Sequence, residues 1–157
     1  FQTNIVREFM VQAGQNTPNT PIEPSRADRL LRANLILEES LELITKGLGV
    51  SVTVDTEDNY GADDCLKFEN SSDFSLAIEG PFNIIETVDG AEDLRWVGVD
   101  GVYVMCGVSP IEPLEEVNRS NMSKFIDGHR REDGKWVKGS SYSPVDLNDK
   151  IKGIVNE

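Results

Sequence analysis

With 157 residues, 15 Lys and Arg against 28 Asp and Glu and a net charge of −13, the chain is long enough for one folded core and has the wrong sign for non-specific binding of nucleic acid or an anionic membrane. Cys65 and Cys106 are isolated and His129 is the only histidine, which argues against a disulfide framework, a zinc centre and a triad built on that imidazole. No apolar stretch approaches the roughly 20 residues of a membrane span and no basic-then-apolar leader opens the chain, so the expectation is a cytoplasmic protein, in a host cytoplasm if the gene is viral.

In chain order, residues 4–13 read as a short amphipathic helix closed by Gly14, and residues 16–24, with Pro18, Pro21 and Pro24, as an irregular connection. Ser25 followed by Asp28 predicts a capped helix start, and the helix should run to Lys46, with Gly47 and Gly49 ending it. Residues 50–81 read as an insertion with a small β element: Val50–Val54 alternates, and Leu66–Phe68 and Phe74–Ile78 are extended candidates. A second helix is predicted from about Phe82 to Cys106, ended by Gly107. A third begins near Pro113, with Glu115 and Glu116 beside its positive end, and reaches about Phe125. Asp133-Gly134 signals a hairpin, and residues 147–157 form a polar tail. The expected fold class is mainly α, in a single domain spanning 1–157.

The first helix of the two acidic ones carries Glu38, Glu39 and Glu42, which at about 100° per residue fall within roughly a 100° arc. Leu30, Leu37, Leu41, Ile44 and Leu48 form the adjoining apolar stripe, so these carboxylates should extend a buried side. In the second, Glu86, Asp89, Asp93 and Asp100 share roughly a 60° arc, while apolar residues occupy nearly every other direction and predict a buried helix. Acidic residues at helical spacing are ordinarily a solvated face. Two stripes beside apolar side chains instead demand compensation for repulsion and lost hydration, which a hard divalent cation supplies. Six basic residues between Arg119 and Lys138 could face phosphates that such a cation leaves unneutralised.

Glu38-Glu39-x-x-Glu42 followed by Glu86-x-x-Asp89 resembles the metal signature of the all-α nucleoside triphosphate pyrophosphohydrolases, the MazG-like and phosphoribosyl-ATP pyrophosphohydrolase-like superfamily. Arg119-Ser-Asn-Met-Ser-Lys124 with Asp133-Gly134-Lys135 and Lys138-Gly139 resembles its dimeric dUTP pyrophosphatase-like branch. The resemblance covers about residues 4–48 and 82–146. It implies a helical bundle assembled as a homodimer, with a tetramer as the alternative, Mg²⁺ or Mn²⁺ as cofactor, and hydrolysis of a nucleoside triphosphate to the monophosphate and pyrophosphate. It implies metal ligands or supporters at Glu38, Glu39, Glu42, Glu86 and Asp89. In a shifted register of the second motif Asp93 is a ligand and Glu86 is not. Glu39 is the candidate base, and Asn121, Lys124, Lys135, Lys138 and Tyr142 are candidates for nucleotide contact. The substrate expected is dUTP or dCTP; the alternatives are phosphoribosyl-ATP hydrolysis and a non-catalytic nucleotide-binding regulatory dimer.

Overall fold

A computed structural model describes residues 2–54 and 71–151. The proposed strand at Leu66–Phe68, Cys65 and the last residues of the tail lie outside the described residues. Those described are mainly helical, with two small antiparallel ribbons. They divide into two compact units, Phe1–Arg29 with Asp100–Glu157, and Leu30–Val99.

In the first unit, α1 (Gln2–Gln12) ends at Gly14, whose φ of 70° suits glycine. Arg7 donates to the carbonyls of Thr17 and Pro18, at 2.7 and 3.0 Å, and so ties the proline-rich connection to the helix. α4 (Gly101–Cys106) packs on α1, and the buried apolar side chains Val6, Met10, Val104 and Met105 all come from these two helices. α5 (Ile111–Ser123) starts two residues before Pro113, which therefore sits in the first turn, where a missing N–H costs nothing. β3 (His129–Arg130) and β4 (Trp136–Val137) form the predicted hairpin. Its turn is longer than Asp133-Gly134 alone: Gly134 N donates to Arg131 O at 3.0 Å, Gly134 has φ 85°, and the Asp133 carboxylate accepts from Lys135 N. Trp136 Nε1 donates to Lys124 O at 2.7 Å and its ring meets Phe125 edge-on, fastening the hairpin to the end of α5.

The second unit contains most of α2 (Arg26–Glu42), which begins with the expected reciprocal cap: Asp28 N donates to Ser25 Oγ at 3.1 Å, and Ser25 Oγ donates to the Asp28 carboxylate at 2.7 Å. Its continuation, Leu43–Gly47, winds into a π-helical turn, a local widening often found at functional sites. β1 (Val50–Val54) pairs antiparallel with β2 (Phe74–Ile78), with Val50 opposite Ile78 and Val52 opposite Leu76, so one face is wholly apolar and the other carries Ser51, Thr53 and Ser75. α3 (Ile84–Leu94) is capped by Asn83, whose side-chain oxygen accepts from Ile85 N and Glu86 N at 3.1 and 3.3 Å. A second π-helical stretch, Arg95–Asp100, follows it.

Two burial expectations are corrected. Leu30, Leu37, Leu41 and Leu48 on the first acidic helix, and Ile84, Ile85 and Val88 on the second, are exposed, Ile85 by 75 %. Among the described residues the apolar pattern is present on these faces without its cover.

Candidate functional site

α2 with its π-helical continuation and α3 run antiparallel. As the chain advances from Ile36 through Leu43 to Gly47, the positions it meets recede from Gly98 through Gly90 to Thr87, and Gly47 O then accepts from Asn83 N at 2.9 Å. Buried Arg32 also ties this end of the pair, its long side chain donating to Val97 O at 3.3 Å. The pairing decides which acids face each other. Glu39 falls opposite Asp93, and Lys46 falls opposite Glu86.

The electrostatics agree with that register. Glu39 is half-buried, and its carboxyl is held above its ordinary range first by lost hydration and then by the negative charges of Asp93, Glu42 and Glu38. Three of the sequence-identified acids are thus close enough to Glu39 to repel it. Lys46 Nζ sits 2.7 Å from Glu42 Oε2, and its ammonium is held in the charged form first by that hydrogen bond, then by the fields of Glu42, Glu86 and Glu39. Lys46 was missed by reasoning from the acids alone, although its position four residues after Glu42 is the spacing of a helical ion pair.

Glu38, Asp89, Asp93 and Glu86 are exposed, and Glu42 is half-buried. Among the described residues no group of three or more His, Cys, Asp or Glu side chains converges into a ready ligand set. The donor set nonetheless suits a hard cation: all oxygen, negatively charged, mutually repelling, with the half-buried Glu39 at its centre. Asp100, the last acid of the second stripe, belongs to the other unit, where it is buried.

The residues expected to touch nucleotide lie in the first unit. Lys124 Nζ donates to Asn121 Oδ1 at 2.7 Å, and Lys138 Nζ lies 4.1 Å from the centre of the Tyr142 ring. The Tyr142 hydroxyl is pushed below its ordinary range first by its hydrogen bond with Ser120, then by Lys138 and more weakly by Lys124. Asn121, Lys124, Lys138 and Tyr142 therefore form one basic and aromatic cluster. Lys135 lies in the hairpin turn, and its backbone carbonyl accepts from Arg131 N at 2.8 Å.

Two of the six basic residues are committed to carboxylates of the chain. Arg131 pairs with Asp133 at 2.9 Å. Arg119 grips Glu116 with Nε and Nη2, at 2.8 and 2.7 Å, and donates to Ser143 Oγ and Pro144 O. Glu116 also accepts from Asp146 N at 2.9 Å. Arg119 is thus a clamp for residues 143–146 rather than an open phosphate contact. The Arg119 hydrogen bonds, followed by that of Asp146, hold the Glu116 carboxyl down at about 2.

Because this folded value lies below the ordinary 4.5, the stabilisation is complete above that value and is lost as pH falls through about 2. Glu116→Gln should show at neutral pH what acid does to the parent: the Asp146 amide loses roughly tenfold in hydrogen-exchange protection. Unchanged protection would contradict the clamp.

No protein-family model and no curated protein matches the chain.

Proposed function

We propose that the chain is a Mg²⁺-dependent nucleoside triphosphate pyrophosphohydrolase acting on the α–β phosphoanhydride of a deoxypyrimidine triphosphate, dUTP or dCTP, and working as a homodimer. The observation that carries this reading is the opposition of Glu39 and Asp93 across the antiparallel helical pair, with Glu38 and Glu42 beside them. Carboxylates repelling a half-buried one are costly without a counter-charge, and Glu38, Glu39 and Glu42 are the positions that resemble a metal signature, with Asp93 joining them in its shifted register.

In this reading Glu42 and Asp93 hold the cation, with Glu38, Glu39, Asp89 and Glu86 beside them. When bound, Mg²⁺ or Mn²⁺ supplies neutralisation of phosphate charge and acidification of the attacking water. Glu39, left off the cation, is the group we assign to accept the water proton. Lys124 and Lys138 offer positive charge to phosphate, while Asn121 and Tyr142 offer an amide and a ring suited to a base.

Thermal unfolding tests the reading. Mg²⁺ or Mn²⁺ at a few millimolar should raise the melting temperature of the parent protein through binding linkage, and an equal ionic strength of KCl should not. Asp93→Asn should lose the response. Equal responses to both salts would mean a solvated acidic face.

Lys46 adds a separate prediction. Its ammonium opposes entry of a second cation, so Lys46→Gln should tighten Mn²⁺ binding by roughly two- to fivefold, the range of an exposed ion pair. Calorimetric titration checks it, and weakened binding would contradict this role.

A further inference from the structure

The acids of α2 and α3 are brought together by an unusually close backbone crossing. A methyl group on Gly90 would sit 3.1 Å from Leu43 Cα, 3.2 Å from Leu43 Cβ and 3.4 Å from Leu43 N. On the other chain segment, a methyl on Gly47 would sit 2.8 Å from Thr87 Cα and 3.0 Å from both Thr87 N and Oγ1. The contacts are reciprocal: each element offers a glycine to the other's backbone, and both glycines are buried. Backbone atoms cannot rotate aside as a side-chain end can, so a side chain at Gly47 must shift the two elements, and one at Gly90 asks them to give by a few tenths of an ångström.

The location gives the crossing its consequence. Leu43 adjoins Glu42, Gly90 adjoins Asp89, and Thr87 adjoins Glu86. Glu39 and Asp93 lie one turn further along the same pair. The other glycine of α3 and its continuation is different: a methyl on Gly98 would meet only Leu94 Cδ1 at 3.4 Å and Ile36 Cγ1 at 3.6 Å, ordinary contacts with movable ends.

We infer that Gly47 and Gly90 are positioning residues for the carboxylate site: their reciprocal backbone contacts set the separation across which the acids of α2 and α3 hold one divalent cation. This rests on the metal-site reading above. A cation held from two helices needs its oxygens within a few tenths of an ångström of a fixed distance, so a small displacement of one helix weakens binding before it disrupts the fold.

Calorimetric Mn²⁺ titration of the full chain, with far-UV circular dichroism as the fold check, separates the possibilities. Gly90→Ala should keep its helical signal and bind Mn²⁺ roughly ten- to a hundredfold more weakly, the scale of a lost supporting contact at a metal site. Gly98→Ala should bind within about twofold of the parent. Val6→Ala, in the core of the other unit, lowers stability without touching the crossing and should also bind as the parent does. If Gly90→Ala unfolds, the titrations are repeated in trimethylamine N-oxide, which favours the compact state without supplying carboxylates. Parent-like affinity in folded Gly90→Ala, or an equal loss in Val6→Ala, overturns the positioning role while leaving the metal site standing. No Mn²⁺ binding by the parent protein overturns the metal reading and this inference with it.

Discussion

Asp93→Asn should lower metal-dependent turnover by roughly 10²–10³-fold, the cost of removing one preorganised electrostatic group, whereas Glu86→Gln should lower it by less than about tenfold. The difference follows from the register of the helical pair. Gly47 meets Thr87 and Leu43 meets Gly90, so Glu39 comes opposite Asp93, and that carboxylate is the largest charged contributor to its raised pKa. Glu86 lies a turn and more away, at the capped start of α3, within the field of Lys46. Both side chains are exposed and the amides are close in shape to the acids, so neither change should disturb folding by more than about 0.5 kcal/mol. Initial rates of pyrophosphate release for the two variants check the assignment. An inactive Glu86→Gln beside a fully active Asp93→Asn would restore the Glu86/Asp89 register.

The second large effect expected is on assembly. Among the described residues the buried apolar side chains besides Pro113 are Val6, Met10, Val104 and Met105, while 23 large hydrophobic ones are exposed, including Ile78 at 85 % and Ile85 at 75 %. Scattered exposed apolar residues are ordinary, but this imbalance is far beyond scatter. A second copy covering these faces is the occupant the homodimer reading calls for. Light scattering should then give twice the chain mass, and the melting temperature should rise with protein concentration, as it must when folding and association are coupled. Ile85→Glu would be nearly silent on a monomer's surface; in the dimer it should dissociate the copies or abolish folding. A monomeric mass with a concentration-independent melting temperature would contradict this part of the account.

Much of the local structure was legible in the residues because it depends on local chemistry. Ser25 and Asp28 form their reciprocal cap, Gly14 and Gly107 end their helices with positive φ, and Gly134 takes the left-handed turn position. The β pairing of Val50–Val54 with Phe74–Ile78 follows from alternation on both strands. Burial was not legible, since periodicity shows which face is apolar and cannot show whether the same copy covers it. Helical angles also left the two registers of the second acidic motif open, because Glu86, Asp89 and Asp93 share one direction. Only the crossing at Gly47 and Gly90 separates them, and a glycine's backbone contact leaves no trace in hydropathy. Arg119 was misread for a related reason: a cation near other cations looks like a phosphate contact until its partner, Glu116, is seen three residues away on the same helix.

Pyrophosphate release from a panel of ribo- and deoxynucleoside triphosphates, with and without Mg²⁺ or Mn²⁺ and with Asp93→Asn alongside, tests the central claim most directly. The account predicts release that requires the metal, favours dUTP or dCTP and disappears in the variant. A folded, metal-bound parent protein that releases no pyrophosphate from any nucleotide in the panel would contradict it.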